Sequence, residues 1–345
     1  MTKKKQAIRA LKLILTAVFL YLLWKVPDHQ GLAQRFSQID GFYLTLFVLV
    51  GIGMLLVSNA KWHALMKIHG AAPGFWTTLR IYFIGYYFTA LLPSNFGGDG
   101  ARIYLAARHT GSSTGAATSV FMERVTGLVV LVVLVAALPL VRPDLGQHPA
   151  FAVPALICAG ALAAILAGAL FRHTVTAVVQ SVTARLMRMP RARRLAPVVD
   201  WLARFLSDTG EALRVLWGRR RVAWQVWSLT AVFYLLTWIN HLVAFGTFGF
   251  MPPADFIPVT PVILFMSSLP VAAAGNLGYT EGVYAYYFSL VGISLEATVA
   301  VAILIRLKVW LLGGIGMILF MTGGERAAMS HSPTSDDAVT VSRQL

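Results

Sequence analysis

The sequence predicts an all-α polytopic membrane protein, with about six spanning helices and two re-entrant helical hairpins. Three observations carry this expectation. The chain is 57% hydrophobic and only 12% charged over 345 residues, against roughly a quarter charged in soluble domains. The windows Gly41–Ala60, Val125–Val141, Ala150–Phe171, Val222–Ala254 and Phe256–Thr280 hold no Asp, Glu, Lys or Arg, and each is about 17 residues or longer, the length of a bilayer crossing or nearly so. These runs are continuously apolar and do not alternate, which selects helices over barrel strands.

The formal charge of +15 would suggest nucleic acid in a soluble protein. Here the positive residues cluster between apolar runs and report topology instead, so no nucleic-acid partner is expected. Cys158 is the only cysteine, which excludes an intrachain disulfide and a multi-cysteine metal site. The start, Lys3-Lys4-Lys5 before apolar Leu11–Leu23, resembles a signal peptide. No small-x-small cleavage site follows, so it reads as an uncleaved first span over 11–26 with a cytoplasmic leader.

In chain order, residues 27–40 form a short exterior loop and span two covers Gly41–Ala60. A cytoplasmic segment with Lys61, His63, Lys67, His69 and Arg80 follows. Further spans are expected over 116–141, 150–171, 222–250 and 295–321. Segment 172–221 holds 11 arginines against Asp200, Asp208 and Glu211 and belongs in the cytoplasm by the positive-inside rule. Its Val198, Trp201, Leu202, Phe205, Leu213 and Leu216 follow helical spacing, as an amphipathic helix on the inner membrane face would. The membrane domain so defined covers 1–325, and the polar residues 326–345 form a disordered cytoplasmic tail.

Two stretches break the apolar pattern. In Leu92–Arg102, Pro93 ends a helix, Gly97 and Gly98 permit a tight turn or close approach, and Asp99 and Arg102 stand three residues apart. If a helix starts there, the pair shares one face and Asp99 meets the favourable end of the dipole. An ordinary interhelical loop would show the same residues. Keeping 172–221 cytoplasmic requires residues 76–109 to enter and leave on one side, and a re-entrant backbone needs protein or a water-filled cavity around it. The second stretch, Ser267–Gly282, repeats the logic with Pro270, Gly275, Gly278 and Glu281. Interrupted hairpins of opposite orientation, one in each half, are the pointer to an inverted-repeat transporter with its site between the halves.

Asp99, Arg102, Glu123, Arg124, Glu281, Arg306 and Lys308 all lie in or beside apolar runs, where each central charge costs roughly 2.5–3.5 kcal/mol. Pairing within a polar cavity is the simplest common explanation, and the positive surplus suits an anionic lipid headgroup. Salt bridges that only lock helices together are the alternative. His241, beside Asn240, is expected to make an interhelical hydrogen bond.

Enzyme motifs fail. Gly111-Ser112-Ser113-Thr114-Gly115 matches a nucleophile elbow in letters only, since that motif needs a preceding strand. No Gly-Lys dipeptide occurs, so there is no P-loop, and His-Glu-x-x-His is absent. An enzyme is therefore the less favoured reading, and neither cofactor nor metal is expected.

The pattern of Pro93 with Gly97-Gly98-Asp99 and Arg102, Glu123-Arg124, and Ser268-x-Pro270 with Gly275, Gly278 and Glu281-Gly282 resembles the lysylphosphatidylglycerol synthase transmembrane family, also called flippase-like or YbhN-like, over residues 10–322. The resemblance implies a lipid-translocating module of the bacterial inner membrane whose partners are a membrane lipid and a separate lipid synthase. Members often carry arginine before the second glutamate, where this chain has Thr280. The chain reaches Leu345 without the soluble aminoacyl-transferase domain of some members, so lysyl-lipid synthesis is not expected. The rival implication is an enzyme or accessory subunit of lipid-linked glycosyl transfer or lipid synthesis.

Overall fold

The computed structural model of the chain describes residues 29–69, 72–91, 97–170, 214–269, 271 and 276–323, together with Ala17 and Tyr21. The rest of the first span, the basic segment up to residue 213, the polar tail, and Pro93, Pro270 and Gly275 lie outside these residues. Every regular element described is helical.

The order is α1 (His29–Ser37), α2 (Gly41–Met66), a short 3-10 turn at Lys67–His69, α3 (Phe75–Leu91), α4 (Gly97–Thr110), α5 (Ser113–Val141), α6 (Pro143–Gly146), α7 (Pro149–Leu170), α8 (Arg220–Thr247), α9 (Phe256–Ser268), α10 (Tyr279–Ser289) and α11 (Leu295–Thr322). Among the described residues α2, α5, α7, α8 and α11 are long and apolar enough to cross a membrane. They fall on the five expected spans that the described residues contain. Leu140, Leu156, Trp224 and Leu311 stand on the outside with most of their surface exposed, as on a surface whose solvent is hydrocarbon.

Local chemistry sets the helix ends. Asp40 accepts from the amides of Phe42 (2.8 Å) and Tyr43 (3.2 Å) and caps α2, and Ser294 does the same for α11 through Ala297. Ser112, the serine of the false elbow motif, accepts from Gly115 N–H at 3.1 Å and starts α5. The window Phe256–Thr280 is not one crossing, because α9 ends at Ser268 after 13 residues.

Two expectations need correction. Residues 27–40 are not a plain loop: α1 occupies 29–37, packing Leu32 and Phe36 on the main core, with Phe36 edge-on to Phe248 at 5.1 Å. Span two does not end at Ala60, since α2 continues to Met66 and buries Lys61, Trp62 and Leu65. The apolar residues that follow Lys61 have a face to fill, and that outweighs the polar look of the segment.

α8 lies along α2, and α11 lies along α3. The second contact is close: a Cβ on Gly316 would collide with the Phe83 carbonyl. The two helices of the first broken stretch, α3 and α4, pack against one another, with Gly98 set directly over Thr89 and the Gly85 carbonyl, where no side chain fits. In the second, α9 and α10 pair likewise. The largest core runs among α5, α7, α8, α9, α10 and α11, through Phe245, Val259, Phe288 and Ala300.

At one end of α5, Arg142 donates to both carboxylate oxygens of Asp144 (3.0 and 2.6 Å) and also binds Asp255, which stands just before α9. The guanidinium holds the Asp144 carboxyl below its ordinary range.

Candidate functional site

The site forms where α2, α3, α4 and α5 meet. α4 begins at Gly97, so Asp99 lies in its first turn and Arg102 one turn on, with their side chains 3.6 Å apart. Arg124, the next residue after Glu123 on α5, grips Asp99 with a two-point fork, Nε to Oδ2 at 3.0 Å and Nη2 to Oδ1 at 2.9 Å. This is the strong planar geometry of arginine with carboxylate. Arg102 turns the other way and donates to Glu123 Oε2.

Arg102 is also held by ring faces. Its guanidinium carbon lies 4.3 Å from the Trp62 ring centre and 4.1 Å from that of Tyr82. Cation–π contacts are worth about 0.5–2 kcal/mol each, most when water is excluded, and Arg102 is only 4% exposed. Each ring is itself anchored: Trp62 Nε1 donates to Ser119 at 3.1 Å, and the Tyr82 hydroxyl donates to Glu123 Oε1 at 2.8 Å. Lys61, 6% exposed, completes the cluster through a hydrogen bond from Nζ to the Glu123 carbonyl at 3.3 Å.

The cluster therefore holds Lys61, Arg102 and Arg124 against Asp99 and Glu123, a surplus of one positive charge. Four of these side chains are closed off from solvent, while that of Arg124 is 63% exposed at the margin.

The second broken segment carries a smaller site. Gly278, at φ 81°, precedes α10 in a conformation that suits glycine. Its N–H donates to Glu281 Oε2 at 2.8 Å. The other oxygen of Glu281 accepts from Arg306 Nε, in mid α11. Beside this pair, Tyr284 reaches His241 Nε2 at 2.8 Å, and His241 Nδ1 lies 2.7 Å from the Thr237 carbonyl. The carbonyl can only accept, so the ring carries its proton on Nδ1 and takes the tyrosine proton on Nε2. His241 thus makes the interhelical contact expected of it. Lys308 points elsewhere, donating to Asn240 Oδ1 at 2.5 Å with its ammonium 4.9 Å from the Phe47 ring centre.

Of the residues singled out from sequence, Asp99, Arg102, Glu123 and Arg124 come together, and Glu281 meets Arg306 on separate helices. Gly97 and Gly98 open α4, and Gly278 precedes α10. Three partners were not legible: Lys61, Trp62 and Tyr82. The available signal was the adjacency of Lys61 and Trp62 inside a run that stays apolar through Met66. An apolar cleft of about 410 Å³ opens between α7 and the α9–α10 pair, lined by Val153, Pro154, Ile157, Phe265, Met266 and Leu269 among others.

Comparison with curated proteins and with solved structures finds no match. The family model described as the lysylphosphatidylglycerol synthase TM region matches residues 9–316, a stretch that contains both broken segments and every charged residue of the two sites. The chain is a multi-pass membrane protein and belongs to that family.

Proposed function

We propose that this protein is a lipid translocase, or lipid-handling transporter, of the bacterial inner membrane whose substrate carries an anionic headgroup. α3–α4 and α9–α10 act as re-entrant hairpins opening toward opposite sides, with both chain termini in the cytoplasm. The headgroup is held at the Lys61–Arg102–Glu123 cluster while the acyl chains stay in the bilayer and in clefts such as that beside α7.

The observation that carries this reading is the buried cluster itself. A positive surplus inside a lipid-facing bundle is costly unless something anionic visits, and Arg124 offers an entry at its exposed margin. Helix locking alone would be served by balanced pairs, as at Glu281 and Arg306.

Purified protein in liposomes tests the proposal. Headgroup movement of a labelled anionic lipid is expected without added partner, and Asp99→Asn should abolish it while leaving the protein folded. Product formation without lipid movement would replace this reading with the enzymatic one. Failure of the Asp99→Asn protein to accumulate would make Asp99 a structural charge.

A further inference from the structure

The first site has more donor capacity than the protein uses. The Lys61 ammonium carries three N–H donors, and among the described residues it makes one hydrogen bond, at 3.3 Å to the Glu123 carbonyl. It lies against the bare backbone of Gly127, where a Cβ would come 3.9 Å from Nζ. Arg102 Nε is buried and has no hydrogen-bond partner among the described residues. Both Glu123 carboxylate oxygens are already taken, by Arg102 and by Tyr82. Both Asp99 oxygens are held by Arg124.

The unspent groups beside Glu123 are thus all cationic donors, on Lys61 and Arg102, with no spare carboxylate beside them. Buried polar groups are rarely left in this state, and leaving a charged donor unsatisfied costs more than leaving a neutral one. A zwitterionic headgroup would bring an ammonium to a cluster that already has one positive charge too many. A phosphodiester without an amine would bring acceptor oxygens and one negative charge, which cancels the surplus.

We infer that Lys61 and the free Nε of Arg102 form the headgroup-selecting half of the site, specific for phosphodiester lipids that carry no amine and are net negative. This rests on the lipid-handling reading above and adds the substrate class. Lys61 supplies the selecting charge. Arg102 is fixed in direction by the two rings, so it can present Nε without spending its Glu123 contact.

The test has two arms. Protein reconstituted in an equimolar mixture of phosphatidylglycerol and phosphatidylethanolamine is repurified, and the bound lipid classes are counted by mass spectrometry. Wild type should retain the net-negative class about tenfold over the zwitterionic one, the preference expected from one additional charge-assisted hydrogen bond. Lys61→Gln should reduce that ratio to near one, and Lys61→Arg should keep most of it. In the second arm the same vesicles report movement of each labelled lipid.

Retention without movement would support the selectivity and overturn the translocase reading. Movement with equal rates for both lipids in wild type and Lys61→Gln would do the reverse. If Lys61→Gln does not fold, the wild-type ratio decides: a value near one overturns the inference and leaves the Lys61 and Arg102 donors to ordered water.

Discussion

The two broken segments share a design and differ in charge. Each places a carboxylate in the first turn of a short helix and pairs it with an arginine from a long neighbour, Asp99 with Arg124 and Glu281 with Arg306. The first adds Lys61, Arg102, Glu123 and two aromatic rings and ends one positive charge in surplus. The second adds a tyrosine and a histidine, neutral in the assigned tautomer, and Glu281 spends its remaining oxygen on the Gly278 amide. A balanced pair that also caps its own helix has little left for a ligand. A crowded cluster with excess donors has reason to take one. The spare donors therefore lie at the first segment, on Lys61 and Arg102, while at the second both oxygens of Glu281 are engaged.

The largest effect should come from Glu123→Gln, which leaves Arg102 and Lys61 buried beside no carboxylate except Asp99. Removing one member of a buried pair costs about 3–5 kcal/mol, measured as lost thermal stability in detergent. Wild-type stability would mean the cluster is solvated and the contrast between segments false. Arg306→Lys keeps charge at the second segment but loses the Nε contact to Glu281. It should slow lipid movement by about 30-fold at matched protein level, the equivalent of a charge-assisted hydrogen bond of about 2 kcal/mol. Unchanged movement would leave Arg306 a purely structural charge.

Gly278→Ala places a side chain at φ 81° and should cost about 1–2 kcal/mol of stability. A smaller loss would show that the backbone there relaxes easily. The least effect on stability is expected from Arg124→Ala. Its side chain is 63% exposed and Arg102 stays 3.6 Å from Asp99, so the buried carboxylate keeps a cationic neighbour and the stability loss should be smaller than for Glu123→Gln, while lipid capture suffers. A large loss of stability would move Arg124 from the mouth of the site into its frame.

What the sequence revealed follows from which signals are local. Long charge-free runs mark α2, α5, α7, α8 and α11 because a bilayer crossing is a property of one continuous segment. The glycines at 97, 98 and 278 and the acid that follows them are equally local, so the start of α4 and the approach to α10 could be read directly. Pairing is not local. Glu123 and Arg124 sit side by side on α5 but point to different partners, Arg102 and Asp99, and nothing in their spacing says which. Lys61, with His63 and Lys67 after it, reads as part of a cytoplasmic segment, and only the packing of Trp62, Leu65 and Met66 reveals that the helix continues. α1 was hidden for the same reason: its polar composition says nothing of the Phe248 ring that waits for Phe36.

Arg124 and Arg142 project from two points on one helix, the first eleven residues in from Ser113 and the second at the C-terminal cap. They are 18 residues apart (142 minus 124), about 27 Å along α5 at 1.5 Å per residue. One grips the helix that opens the first broken segment, at Asp99, and the other grips the approach to the second, at Asp255. An α-helix barely stretches, so α5 holds these two contacts at a fixed spacing. The one proline inside α5, Pro139, sits three residues from Arg142. The two broken segments are thus tied to one stiff helix that neither of them contains.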